Sequence, residues 1–224
     1  TMRVTPAQML DKAYLKERGK LINMKKALAP THGNPAQGGT VYLTAADESG
    51  MMISYIQSNF SGFGSGVVVP DTGISLQNRG SGFSLRPSHA NIVAGNKRPF
   101  HTIIPAFLMK DGQPVMSYGV MGANMQPQGH VQTLVRMLDY AQNPQAACDA
   151  PRWRYNEGLV INVEAGMDPH TVQGLQQRGH AMEVINDSYQ DFGAGQFIWR
   201  AGDPNIEGYV VASDSRRDGL AAGF

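Results

Sequence analysis

Gly38-Gly39-Thr40-Val41-Tyr42-Leu43-Thr44-Ala45-Ala46 is the stretch in which the character of the chain changes. Ahead of it, Ala29 to Gly39 (APTHGNPAQGG) is polar and built of turn formers, the composition of a linker. From Thr40 the residues become β-branched and aromatic with a period of two. Thr40 to Ala46 and Met51 to Gln57 therefore read as two strands joined by the turn Asp47-Glu48-Ser49-Gly50. A threonine at the head of a strand is most often just a β-former. A sharper reading is that the chain is cut before it, with Gly39 supplying the backbone freedom such a rearrangement needs. Thr40 would then carry a hydroxyl nucleophile and, on the same residue, an α-amine. That amine titrates near pH 8 in model compounds, so it suits the task of base at working pH.

Downstream, Ser58 to Gly66 (SNFSGFGSG) is a glycine loop, Val67 to Val69 a short buried strand, and Pro70 to Gly73 a turn. Ile103 to Met109 and Val115 to Tyr118 flank Lys110-Asp111-Gly112-Gln113 as a second hairpin. Val131, Leu134, Val135 and Leu138 recur at helical spacing and predict an amphipathic helix that ends before Asn143-Pro144. Asp168-Pro169 opens another helix, with Val172 and Leu175 inward and Gly179 at its end. Ala181 to Ile185, Gln196 to Arg200 and Gly208 to Ala212 predict closing strands. Upstream, Thr5-Pro6-Ala7-Gln8 reads as a helix start, with Leu10, Tyr14 and Leu21 on one face and fading at Gly19. Strands, then helices, then strands argue for an α+β fold with largely antiparallel sheets under helices.

Composition narrows the function classes. The 224 residues are 42% hydrophobic and 17% charged, enough for a sizeable core. Lys plus Arg (19) nearly balance Asp plus Glu (18), so no global charge points to nucleic acid or a membrane surface. Seven of the basic residues and two of the acidic ones fall within Thr1 to Pro30, which suggests a boundary near Pro30 and no targeting signal. The lone Cys148 excludes an internal disulfide framework and is compatible with a cytoplasmic location. The six histidines (His32, His89, His101, His130, His170, His180) show no metal-binding spacing. Ser61-Gly62-Phe63-Gly64-Ser65-Gly66 lacks the Lys-Ser/Thr of a P-loop and reads as a close-packed turn.

Gly39-Thr40 with Asp47 and Gly50 resembles the start of the small subunit in the γ-glutamyltranspeptidase family of N-terminal nucleophile hydrolases. Further stretches fall in the family's order: Phe63 to Val67, Gly73 to Asn78, Asn96 to Pro99 with Pro105, Gly119 to Ala123, Asp149 to Arg152, and the ending Ser213 to Phe224. The resemblance runs from Thr40 to the C-terminus. It implies a four-layer αββα sandwich completed by a large subunit, with residues 1–39 as the tail of that subunit and residues 40–224 as the small, catalytic one. It also implies self-cleavage between Gly39 and Thr40, a heterodimer or a dimer of heterodimers, and no cofactor, beside the composition's reading of no metal, nucleic-acid or membrane partner.

Position by position, the resemblance places the nucleophile on Thr40, although Val41 and Tyr42 replace the Thr and His that usually follow it. A supporting hydroxyl falls on Ser58, and the oxyanion-binding amides fall on Gly122 and Ala123. The substrate-binding positions depart from the family. Gly82 stands where an Asp would hold the substrate ammonium, Phe60 where an Asn would grip the glutamyl head, and Arg79 in place of a Gln. His101 and Thr102 replace two serines that hold the α-carboxylate. A pocket with Arg79 and no acid suits a carboxylate without a neighbouring ammonium, which guanidinium can clamp through two parallel hydrogen bonds. The alternative for Arg79 is an ion pair with the large subunit. Leu76 to Phe83 and Arg98 to Pro105 look like the transpeptidase-like branch that includes oxamate amidohydrolase and cephalosporin-acylase-like proteins. The expected reaction is hydrolysis of a small, oxamate-like amide to acid and ammonia. A γ-glutamyl hydrolase or transpeptidase, a cephalosporin-acylase-like amidase and an uncleaved, non-catalytic relic are the competing readings.

Overall fold

The computed structural model describes residues 7, 11–20, 40–156, 158–187 and 192–223. In chain order its first elements are α1 (Lys12–Gly19), β1 (Thr40–Ala46), β2 (Met52–Ser58), a 3-10 turn (Arg79–Gly82), β3 (Ala106–Lys110) and β4 (Gln113–Met121). Then come α2 (Met125–Leu138), α3 (Pro144–Asp149), β5 (Trp153–Tyr155), β6 (Val160–Glu164), α4 (Pro169–Gln177), β7 (Ala181–Ile185), β8 (Ala194–Arg200) and β9 (Tyr209–Ser213). The mixture is α+β, as the order of patterns predicts.

The chain divides into two compact units. The smaller holds the described part of 1–39 together with Asn59–Asn78. Within it, α1 is capped by Asp11, whose carboxylate accepts from the Tyr14 amide at 2.6 Å. The expected cap Thr5, with Pro6, Gln8, Leu10, Leu21 and the linker 29–39, lies outside the described residues. Asn59–Asn78 is a loop closed on itself. Asn78 accepts from the Ser61 amide and donates to the Ser61 carbonyl, both at 3.1 Å. Val67 to Val69 is not the buried strand expected: only Val68 forms a bridge, to Ser75, and Val67 and Val68 are exposed. Three β-branched residues bounded by turns are too few to carry a ladder of their own.

The larger unit, Thr40–Ser58 with Arg79–Phe224, is built on β4. The sheet order is β3-β4-β8-β9, antiparallel throughout. Asp111 and Gly112 both have positive φ in the β3–β4 turn, the geometry that favours Asp-Gly there. Alternation then sends β4 side chains to two faces. Met116, Tyr118 and Val120 join Phe197, Ala212, Met137, Ala147 and Cys148 in a buried cluster beneath the helices. Each fully buried large apolar side chain there contributes roughly 1.5–3 kcal/mol. Ser117 and Gly119 face the β1–β2 hairpin instead. The Tyr42 ring lies where a Gly119 side chain would stand, 2.6 Å from an ideal Cβ. The layers are thus helix, sheet and hairpin.

The hairpin itself is inverted in polarity. Its packed face sets hydroxyls among Tyr42, Met52 and Ile56: Thr44 donates to Ser117 at 2.7 Å, and Tyr42 shares a hydrogen bond with Ser54 at 2.7 Å. Its outer face carries Val41, Leu43, Ile53 and Tyr55, all exposed. Helix α2 shows the same inversion. Its buried residues are Met125 and Met137 together with Gln126, Gly129, His130, Gln132 and Thr133, while of the four periodic positions Val131, Val135 and Leu138 point outward and Leu134 packs on the cluster. The apolar period therefore misplaces most of the buried face, because Met125 and Met137 share it with side chains that hydrogen-bond to strand and loop backbone. Helix α3, opened by Asn143 and Pro144, and strands β5 and β6 were not expected from the sequence pattern. Strands β6 and β7 pair in parallel, bridged by α4. Helix α4 starts at Asp168-Pro169 as expected, and Gly179 takes positive φ beyond its end.

A buried ion network ties the C-terminal turn to the rest of the unit. Arg152 and Asp214, each about 1% exposed, meet at 2.7 Å. Arg216 reaches Asp214 at 3.1 Å and Glu164 at 2.5 Å. Asp214 also accepts from the Gly195 amide at 2.8 Å. Burial would raise the Asp214 pKa, but Arg152, Arg216 and the backbone donors outweigh it and hold the carboxyl below its ordinary range. Burial, with Asp214 adding to it, pushes the neighbouring Cys148 thiol well above its usual range.

Candidate active site

Thr40 and Ser58 are register partners at the open end of the hairpin. Thr40 Oγ1 donates to Ser58 Oγ at 3.0 Å, so the supporting hydroxyl inferred from sequence touches the inferred nucleophile. Gly39, the other half of the cleavage site, lies outside the described residues.

The hairpin crosses β4 with a fixed stagger. Thr44 meets Ser117 and Tyr42 meets Gly119. One pleat further along, the same stagger carries Thr40 toward Met121, the last residue of β4. The next two residues are Gly122 (φ 133) and Ala123 (φ 51), both in the left-handed half of conformational space. Their carbonyls accept from the Met125 and Gln126 amides at 2.9 and 3.2 Å, at the start of α2. Because a trans peptide is planar, the Ala123 N–H points opposite to the Gly122 carbonyl, away from the helix. The positive end of the 14-residue α2 dipole lies behind it. An N–H left unused by the helix and backed by its dipole suits an oxyanion. Gly122 has no room for a side chain, since a Cβ there would come within 2.8 Å of the Gly193 Cα.

The substrate-binding positions fall into two groups. Asn91 gathers part of one: its amide donates to the Gly82 carbonyl at 2.6 Å and its oxygen accepts from the Phe100 amide at 3.0 Å. A Cβ on Gly82 would lie 3.1 Å from the Phe100 carbonyl oxygen, so the position is tight for any side chain, an acidic one included. Thr102 is buried, whereas His101 is exposed and accepts at Nδ1 from the Ile103 amide at 3.3 Å. Arg79 is buried in the 3-10 turn that ends at Gly82, and burial lowers its pKa from the ordinary guanidinium value. Phe60 belongs to the smaller unit, where it adopts φ 74.

Asn91, Gln126 and His130 are contributors that the motifs did not single out. His130 is buried and its Nε2 accepts from the Val120 amide at 2.9 Å. Burial pushes its pKa down to about 4, so at neutral pH it is a neutral acceptor protonated on Nδ1. The signal was present in Gln126-Pro127-Gln128-Gly129-His130, polar residues set in a helix against a core strand. No described group of three or more His, Cys, Asp or Glu is placed to hold a metal, and no described helix is long and apolar enough to cross a membrane.

The chain is 38% identical over 225 residues to the glutathione hydrolase-like YwrD proenzyme of Bacillus subtilis, covering 97% of this chain and 41% of that protein. It is 37% identical over 201 residues to the oxamate amidohydrolase proenzyme of Klebsiella pneumoniae, covering 88% of this chain and 38% of that protein. The solved structure of cephalosporin acylase from Bacillus halodurans matches with a TM-score of 0.78 at 47% identity, over 99% of this chain and 40% of that one. A γ-glutamyltranspeptidase from Pseudomonas nitroreducens shares the fold, with a TM-score of 0.71 at 23% identity, over 82% of this chain and 98% of that one. The chain thus spans about two fifths of the length of the curated relatives. The model of the gamma-glutamyltranspeptidase family matches residues 1–224, and with these relatives and this shared fold the chain belongs to that family.

Proposed function

We propose that this chain is the catalytic portion of a self-processing amidohydrolase. Cleavage between Gly39 and Thr40 frees the Thr40 amine. That amine takes the proton of the Thr40 hydroxyl as Oγ1 attacks an amide carbonyl. The oxyanion forms against the Gly122–Ala123 turn, where each donor is worth about 3–4 kcal/mol in comparable sites. The C–N bond breaks, the leaving nitrogen takes up the proton, and an acyl-threonine ester remains. Water then attacks the ester, and the acid and free Thr40 are released. The observation that carries this reading is the 3.0 Å Thr40–Ser58 contact at the end of a hairpin whose stagger leads to Met121, next to Gly122. A large subunit from the same precursor completes the site.

For the substrate we infer a small amide that bears a carboxylate and no adjacent ammonium, oxamate-like, giving acid and ammonia. The crowding at Gly82, which disfavours an acid there, and the presence of Arg79 support it. The 47% identity to a cephalosporin acylase favours an N-acyl amide as the second reading.

The test uses the whole precursor. Thr40→Ala is expected to stay a single polypeptide and to release no product. A Thr40→Ala protein that still separates into two chains would end the mechanism. Ammonia release from oxamate, set beside turnover of a γ-glutamyl anilide and of an N-acyl cephalosporin, decides the substrate. Faster turnover of the anilide would refute the small-acid reading.

A further inference from the structure

The β3–β4 ladder stops early, and what replaces it is specific. Its last rung is Ala106 opposite Tyr118. The same register would set Pro105, which has no N–H to donate, opposite Gly119 and Ile104 opposite Val120, and neither pair is formed. The Ile104 amide instead donates to Gln126 Oε1 at 3.3 Å, and the Val120 amide donates to His130 Nε2 at 2.9 Å. Gln126 and His130 are four residues apart, so they stand one above the other on a single face of α2. Gln126 is fully buried and His130 is 6% exposed. The helix has replaced one rung of sheet with two side chains.

This matters for where the strands lead. Going backward from Ile104 the chain reaches Thr102 and His101. Going forward from Val120 it reaches Gly122 and Ala123. We propose that Gln126 and His130 are positioning residues. They hold the splayed ends of β3 and β4 to one rigid helix, so that the substrate-binding segment and the oxyanion turn keep a fixed separation. Neither touches the reacting atoms; each acts through a backbone N–H. The neutral imidazole suits this role, because an imidazolium has no lone pair to offer Val120. His130 also carries the nearer load, since Val120 is only two residues from Gly122. The ring is steadied by Tyr118, with centroids 5.0 Å apart.

The assignment rests on the amidohydrolase reading, and its test separates the two. In the mature two-chain protein, His130→Leu keeps bulk but removes the acceptor, and His130→Gln restores an acceptor. His130→Leu is expected to lower kcat by about 10²-fold with KM within about threefold, the scale of a displacement of roughly 1 Å at a reacting centre. His130→Gln should recover kcat to within about threefold of wild type by restoring the hydrogen bond. Gln126→Leu should act mainly on KM, because its strand leads to Thr102 and His101. Circular dichroism and urea midpoints confirm folding of each variant. A folded His130→Leu protein with wild-type kcat would overturn the proposal, as would a His130→Gln protein no better than His130→Leu. Amide hydrogen exchange on the uncleaved Thr40→Ala precursor gives a readout that needs no turnover. Protection at Val120 to Ala123 should fall in His130→Leu and return in His130→Gln. If wild type cleaves no amide yet this exchange pattern appears, the function fails and the positioning role stands. If exchange is unchanged, the positioning role fails whatever the activity.

Discussion

Replacing Asp214 with Asn changes almost no volume and removes one charge from the buried network. Arg216 would keep its contact with Glu164, while the buried Arg152 guanidinium would lose the Asp214 carboxylate and keep the Phe192 and Cys148 carbonyls. Removing one partner of a buried pair typically costs about 3–5 kcal/mol, because the remaining charge is left desolvated. At about 1.4 kcal/mol per tenfold, that multiplies local opening by between 10² and 10⁴. Cys148 reports this directly: it is fully buried, and its thiol lies 3.5 Å from the Asp214 carboxylate. The assay is timed alkylation with iodoacetamide, read by mass mapping of the Cys148 peptide in the whole precursor. Asp214→Asn should label at least 100-fold faster than wild type, at the lower bound of that estimate. Labelling within threefold of wild type would refute the claim that these charges hold the region closed. Replacing Arg152 and Asp214 together by Met and Leu should lose much less, since an apolar pair of similar volume leaves no stranded charge between them.

Other consequences follow from single contacts. Gly119→Ala would drive a methyl into the Tyr42 ring and should lower stability by about 1–3 kcal/mol, seen as a lower urea midpoint. His130 has a folded pKa of about 4 against about 6.5 in the unfolded chain. Its contribution is complete above pH 6.5 and is lost as pH falls toward 4, about 3 kcal/mol in all; a His130→Gln protein should show a flatter stability profile across that window. Asp214, held low, acts in a separate window: its contribution is present above the ordinary carboxylate pKa and disappears as pH falls below it. Gly82→Asp should not convert the protein to γ-glutamyl substrates, because the new side chain would press on the Phe100 carbonyl; efficient turnover of a γ-glutamyl anilide by that variant would count against the crowding argument.

Local signals made part of this legible. A period-two run after a glycine-rich linker located β1, and the family motif put chemistry on Thr40 and Ser58, which the hairpin register then joined. Asp-Gly and Asp-Pro marked a hairpin and a helix start where they occur. The failures were non-local. The partners Arg152 and Asp214 are 62 residues apart, and neither position announces the other. Periodicity placed α2 but caught only Leu134 of its inner face, since Met125 and Met137 share that face with side chains held by hydrogen bonds. Strand β5 is three residues long, too short for a pattern to register.

The inside-out hairpin has a consequence for how such a protein is made. A two-stranded ribbon with hydroxyls tucked beneath and Val41, Leu43, Ile53 and Tyr55 on top is adhesive wherever it is left bare. Synthesised as a separate gene product, residues 40–224 would meet copies of themselves before meeting a protector. Joined in one polypeptide, a protector sits at roughly millimolar local concentration from the moment of synthesis. On the proposed processing, the bond ahead of Thr40 at the root of this ribbon is then best broken late, once the sticky side has already been shielded.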